Sequence, residues 1–148
     1  MFDPVLEVKV FHPHEVGVSS VGAVGDINRI LKQQHSKAGR IDEKSLLAHV
    51  KNSRVVVALN GSGVVGIGQL LKVSTLSHTY FAIHNLAVLK GVGREIGISI
   101  LEKLLEEVED GALVEAGMLP DDSYGTAVLT IFGFKQRAKL RYRLKIKK

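Results

Sequence analysis

A glycine turn between a predicted strand and a predicted helix could bind an anion in this chain of 148 residues. Residues 81–89 are almost all apolar, which indicates a buried strand. Gly91 and Gly93 follow, and apolar residues then recur at helical spacing from Ile96 to Val108. N–H groups at a helix start lack partners inside the helix, the helix dipole adds positive potential, and glycine permits close approach. The stretch therefore predicts a phosphate cradle.

Two common phosphate-binding motifs do not fit this turn. The dinucleotide fingerprint requires Gly-x-Gly-x-x-Gly, whereas the spacing of Gly91, Gly93 and Gly97 is one residue too long. The P-loop requires Gly-Lys followed by Ser or Thr, and that run is absent from the sequence. A structural alternative stays open, in which the glycines only let the helix pack on its strand.

The composition is that of an ordinary globular chain, with 45% hydrophobic and 24% charged residues. The length predicts a single domain over residues 1–148. The sequence has no apolar run long enough to span a membrane, and its first residues do not have the pattern of a signal peptide. The chain has no cysteine, which excludes disulfides and thiolate chemistry and fits the cytoplasm. Its six histidines are scattered, so we predict no metal site.

The order of predicted elements is β, α, α, β, β, β, α, β, α, β. This order predicts an α/β fold in which a mixed sheet of about six strands carries helices on both faces. We expect strands 80–89 and 112–119 to be parallel neighbours that separate at about Val88. The predicted strands are 6–11, 54–59, 64–73, 80–89, 112–119 and 134–146, of which 54–59, 64–73 and 80–89 form an antiparallel meander. The predicted helices are 15–34, a short helix that carries Leu46, Leu47 and Val50 with Asp42 as its candidate cap, 96–108 and 123–132.

With these elements in order, the chain resembles the general N-acetyltransferase (GNAT) superfamily over about residues 5–146. The similar stretches are Leu86-Ala87-Val88, Ile96-Gly97-Ile98-Ser99-Ile100-Leu101, the hairpin Gly61-Ser62-Gly63-Val64-Val65-Gly66, and Gly133-Phe134 with Ala127 before it. Three positions depart from the family pattern. Val92 stands in an Arg/Gln place, Glu95 in the place of the middle glycine, and Leu129 in the place of a tyrosine that is often the general acid.

The resemblance implies an acyl-CoA-dependent N-acyltransferase that moves an acetyl group from acetyl-CoA to a primary amine by direct attack in a ternary complex. The amine would belong to a small molecule, a protein N-terminus or a lysine, and a homodimer is allowed. The Leu86 N–H would stabilise the oxyanion. The implied cofactor-binding residues are Leu86, Ala87, Val88, Val92, Gly93, Arg94, Glu95, Ile96, Gly97 and Ser123.

His84 is the candidate general base because histidine titrates near neutral pH. Strand alternation predicts that His84 shares a face with Leu86 and Val88. The alternative interpretation is a partly buried, hydrogen-bonded structural histidine. Tyr124 lies five residues before Leu129 and is interpreted as a packing residue rather than an acid.

Residues 134–148 hold eight of the 20 lysines and arginines and no acid, so the other 133 residues carry 12 bases and 15 acids. Strict alternation from Phe134 to Ile146 predicts one strand with a basic face. That face is either a solvated edge or a patch for a polyanion, and no aromatic residue lies on it to stack bases. An alternative to the enzyme is therefore a non-catalytic GNAT-like module that binds acyl-CoA or a protein or nucleic-acid partner.

Overall fold

The computed structural model describes residues 6–15, 20–34, 40–61, 63–117, 123–138 and 141–147. Its strands form one seven-stranded sheet in the order β1-β2-β3-β4-β5-β7-β6. The strands are β1 (Leu6–Val10), β2 (Arg54–Asn60), β3 (Gly63–Ser74), β4 (Thr79–Val88), β5 (Leu113–Gly117), β6 (Lys135–Ala138) and β7 (Arg141–Lys145). The helices are α1 (Ser20–Gln34), α2 (Glu43–Asn52), α3 (Arg94–Leu105) and α4 (Ser123–Phe132), with a short 3-10 helix at Pro13–Glu15.

Strands β2, β3 and β4 form the predicted antiparallel meander. Strands β4 and β5 are parallel, as predicted, because α3 crosses over between them. Their pairing starts at Phe81 and ends with Ile83 opposite Ala116. Among the described residues the pairing therefore ends at Ile83, earlier than the expected separation at about Val88. Residues 118 and 119 of the predicted strand lie outside the described residues. A bulge in β4 accounts for the early separation and is described below.

The predicted last strand is two strands, β6 and β7, which pair antiparallel with Lys135 opposite Arg143. A hairpin preserves the alternation of apolar and basic residues in each arm, so the sequence pattern fits either a hairpin or one long strand. The single strand over 134–146 was thus wrong, and the sheet gains a strand. Lys139 and Leu140, which were placed inside that strand, lie outside the described residues.

Helices cover both faces of the sheet, as predicted. In β2, Val56 and Ala58 pack with α3 and α4, whereas Val55 and Val57 pack with α1 and α2. The alternation of the strand thus feeds two separate apolar cores. Asp42 caps α2 as predicted, because its carboxylate accepts a hydrogen bond from the Ser45 N–H at 2.8 Å.

Candidate functional site

The site begins at the edge of β4 that faces β5. Pairing with β5 ends at Ile83, while pairing with β3 continues to Val88. The Leu89 N–H donates to the carbonyl of Val65 on the β3 side at 2.7 Å. Because backbone groups alternate between the two sides of a strand, those of Leu86 and Val88 point into the gap toward β5. No described residue pairs with these backbone donors and acceptors on that side, so an extended ligand can pair with them.

A bulge in β4 sets this geometry. The register with β3 shifts between Ile67 opposite Ala87 and Gln69 opposite His84, so β4 holds one extra residue there. Asn85 has φ of 57°, which is the left-handed region that few residues other than glycine adopt. The backbone of Ala87, paired with Ile67, faces β3 rather than the gap.

A buried glutamine holds the bulge from the α1 and α2 side. Gln69 is 4% exposed, and its Oε1 accepts a hydrogen bond from the Asn85 amide at 3.1 Å. Its Nε2 donates to Ser53 Oγ at 2.9 Å and lies 3.0 Å from His49 Nδ1. Gln69, His49 and Asn85, together with apolar side chains that include those of α1 and α2, line a cavity of about 40 Å³. The sequence analysis did not predict this cluster, because a lone glutamine in a strand gives no local signal.

The bulge corrects the predicted face of His84. Ile83, Leu86 and Val88 pack in the core beneath α3, whereas His84 lies opposite Gln69 on the α1 and α2 side. The prediction that His84 and Leu86 share a face was wrong, because the extra residue inverts the alternation. The His84 side chain is exposed, and no residue in the described part of the chain hydrogen-bonds its ring.

The start of α3 is the predicted anion cradle. Gly93 is its N-cap and supplies no side-chain cap. The Val92 N–H donates to the Leu89 carbonyl at 3.1 Å, and the Ile96 N–H to the Gly93 carbonyl at 3.2 Å. Both N–H groups are therefore already used within the chain. Val92 is half-buried against the core beneath α3 and brings no charge to the place of the family's Arg/Gln.

A carboxylate stands over this helix start. Glu95 is exposed, and it folds back so closely that a Cβ added at Gly93 would lie 2.5 Å from its Cδ. A negative charge is favourable at the positive end of the helix dipole. The Glu95 carboxylate therefore already neutralises part of the positive potential that would attract an anionic ligand. The N–H groups of Arg94 and Glu95 have no acceptor in the regular helix pattern and stay the candidates for an anion.

Tyr124 joins the start of α4 to the start of α3. Its hydroxyl donates to the Gly93 carbonyl at 3.0 Å and accepts from the Gly97 N–H at 3.2 Å. Burial raises the pKa of Tyr124, the charge of Glu95 adds to the rise, and the Gly97 N–H opposes it. The sequence indicated only packing for Tyr124, and the hydrogen bonds were missed. Ser123 is the first residue of α4, and Leu129 is fully buried in the core.

No cluster of three or more potential metal ligands occurs among the described side chains. None of the described helices is both long and apolar enough to cross a membrane.

Solved structures resemble this arrangement over nearly its whole length. The GNAT-family acetyltransferase of Streptococcus pneumoniae aligns with a TM-score of 0.72 at 10% identity, covering 96% of this chain and 100% of that one. This chain has the GNAT fold. The yncA protein of Salmonella typhimurium, solved with its cofactor acetyl-CoA, aligns with a TM-score of 0.69 at 11% identity, covering 97% of this chain and 95% of that one.

The ribosomal-protein-alanine N-acetyltransferase of Brucella melitensis aligns on the same GNAT fold with a TM-score of 0.69 at 15% identity, covering 95% of this chain and 99% of that one. No protein-family model matches the sequence, and no curated protein matches it either. The likeness thus lies in the fold rather than in the sequence.

Proposed function

We propose that this protein is an acyl-CoA-dependent N-acyltransferase that moves an acetyl group from acetyl-CoA to a primary amine. The observation that carries the proposal is the gap between β4 and β5, where the backbone groups of Leu86 and Val88 have no partner among the described residues. The pantetheine amides would pair with these groups, as an added strand does. The diphosphate would then lie at the N–H groups of Gly93, Arg94 and Glu95, which start α3.

The reaction needs few side chains. The amine nitrogen attacks the acyl carbon, and the carbonyl oxygen becomes an oxyanion that the Leu86 N–H stabilises. His84 takes the proton of the attacking nitrogen, directly or through a water molecule. The tetrahedral intermediate collapses as the carbon–sulfur bond breaks, and the CoA thiolate leaves and takes up a proton. Because Leu129 is buried in the place of the family's tyrosine, that proton comes from solvent or from His84.

Two of the structural relatives support the choice of substrates. The yncA protein was solved with acetyl-CoA, which supports acetyl-CoA as the donor. The Brucella melitensis relative is a ribosomal-protein-alanine N-acetyltransferase, which supports an amine as the acceptor. The acceptor itself would be a small molecule, a protein N-terminus or a lysine side chain.

Calorimetric titration with acetyl-CoA and with CoA, followed by an assay of thiol release with a panel of primary amines, tests the proposal. We expect both ligands to bind at one site per chain, and at least one amine to release free CoA from acetyl-CoA. The absence of binding by either ligand would overturn the proposal.

A non-catalytic module that binds acyl-CoA is the second candidate. The carboxylate of Glu95 at the cradle and the buried Leu129 favour it, because both replace groups on which members of the resembled family rely. Binding of CoA without turnover of any amine would select this candidate.

A further inference from the structure

The sheet face on which His84 lies continues past the helices. Helices α1 and α2 pack mainly over β2, β3 and β4. In β5 and β7, Val114, Ala116, Tyr142 and Leu144 point into the core beneath α3 and α4. Their neighbours therefore point the other way. We call the resulting surface the open face, and it comprises Glu115, Gly117, Arg141, Arg143 and Lys145 beside His84.

The strand register places a histidine and an arginine on either side of a glycine. Since Ile83 is opposite Ala116, His84 lies next to Gly117, although β4 has begun to leave β5. Gly117 is in turn opposite Arg141. Two regular strand spacings would put the Cα atoms of His84 and Arg141 roughly 10 Å apart, and the departure of β4 from β5 makes the separation larger. Gly117 is exposed and has no side chain, so it leaves an open channel between them.

The charge of this channel is positive. Glu115 is the one carboxylate in the described residues of β4, β5, β6 and β7, and it accepts a hydrogen bond from Arg143 Nη2 at 2.7 Å. The opposite charges of Glu115 and Arg143 therefore neutralise each other. Arg141 is exposed and has no hydrogen-bond or ion-pair partner among the described side chains. Among the described side chains, its guanidinium is therefore the uncompensated charge nearest to His84 in the register of the sheet.

Building on the proposed function, we propose that the acceptor is a primary amine that also carries a carboxylate. Its nitrogen would lie at His84 and its carboxylate at Arg141, with the connecting chain above Gly117. A guanidinium binds a carboxylate through two parallel hydrogen bonds, which gives both affinity and orientation. The separation of the two side chains matches an amine and a carboxylate that lie several bonds apart, as in 6-aminohexanoate or a short acidic peptide.

The test compares two acceptors that differ only in charge, 6-aminohexanoate and its neutral amide, 6-aminohexanamide. We expect kcat/KM for the carboxylate to exceed that for the amide by about tenfold, which corresponds to one well-placed charged hydrogen-bonded pair. Arg141→Gln should bring the ratio close to one, mainly by raising KM for the carboxylate. Lys145→Gln is the matched control, because Lys145 lies on the same strand and face but farther from His84, and it should keep the ratio.

Equal kcat/KM values for the two acceptors in the unsubstituted protein would overturn this inference, as would equal loss of the ratio in both variants. If the amide is acetylated as well as the carboxylate, the proposed function stands and only the inference fails. If no amine is acetylated, binding of 6-acetamidohexanoate is followed by the NMR signals of His84 and Gly117. Saturable shifts that disappear in Arg141→Gln support the anion site, and no binding overturns it.

Discussion

The hydroxyl of Tyr124 accepts a hydrogen bond from the N–H of Gly97 at 3.2 Å and thereby completes the first turn of α3 from another helix. The same hydroxyl donates to the Gly93 carbonyl at 3.0 Å. In a regular helix the Gly97 N–H would reach that carbonyl directly. The Tyr124 hydroxyl thus bridges the Gly97 N–H and the Gly93 carbonyl, and it links α4 to the start of α3.

Tyr124→Phe should destabilise the protein, because it leaves the Gly97 N–H without its acceptor and removes one of the two hydrogen bonds that the Gly93 carbonyl accepts. The expected loss in free energy of unfolding is about 1–2 kcal/mol. Urea unfolding followed by circular dichroism measures it. Tyr80→Phe is the control, since the Tyr80 hydroxyl has no hydrogen bond to the described part of the chain, and it should change stability by less than about 0.5 kcal/mol. Equal effects of the two substitutions would mean that the hydroxyl of Tyr124 contributes nothing.

The ionisation of Tyr124 should also affect how the free energy of unfolding depends on pH. The pKa of Tyr124 is raised above the ordinary tyrosine value of 10.0 in the folded protein, chiefly by burial. The unfolded chain therefore loses this proton first, so the stabilisation is full below about pH 10 and is lost as the pH rises toward the folded value. We expect the free energy of unfolding to fall more steeply above pH 10 in the unsubstituted protein than in Tyr124→Phe. Lysine titration affects both proteins equally and so does not alter the difference between them. Parallel curves of the free energy of unfolding against pH would contradict the raised pKa of Tyr124.

Gly97→Ala should also loosen the junction of α3 and α4. A Cβ at Gly97 would lie 2.8 Å from the Tyr124 hydroxyl and 3.0 Å from Cγ2 of Val128. The helices must then move apart, at an expected cost of about 1–3 kcal/mol in stability. Gly25→Ala in α1 is the matched control, since nothing lies within 4 Å of a Cβ there. It should stabilise the protein by about 0.5–1 kcal/mol, because alanine favours the helix. The same sign for both would contradict the close packing at Gly97.

The origin of these contacts shows what the sequence could and could not predict. The meander and the helix after the cradle follow from local periodicity and from Gly91 and Gly93, so both were predictable. The bulge depends on the hydrogen bond between Asn85 and Gln69, which lie 16 positions apart. No pattern within β4 contains that contact, and strict alternation therefore placed His84 on the wrong face. The bond from Tyr124 to Gly97 spans 27 positions and was missed for the same reason.

Glu95→Gln should tighten the binding of CoA. The glutamate carboxylate lies at the start of α3, where the diphosphate would lie, and two like charges repel each other. Removing one charge should lower Kd by roughly fivefold at low salt, with a smaller change at high salt because ions screen the repulsion. Glutamine retains helix propensity, whereas glycine at this position would also weaken the helix. Calorimetry gives the two Kd values. Glu102→Gln, on the same helix but away from its start, is the control. An unchanged Kd in Glu95→Gln would place the diphosphate elsewhere.

His84→Gln should remove the pH step of the acylation rate. If His84 accepts the amine proton, only its neutral ring can do so, and the rate at saturating substrates rises with pH. The substitution should lower the plateau on the order of 10²-fold and flatten the profile, while leaving the Kd for CoA unchanged because the side chain faces away from α3. His12→Gln provides the control. His12 is an exposed histidine that stacks on His14, and its position in the sequence is far from the residues of β4 and β5 that form the gap. Full rate and an unchanged profile in His84→Gln would show that the attacking amine loses its proton to water, and the site would then act through the backbone of Leu86 and through positioning alone.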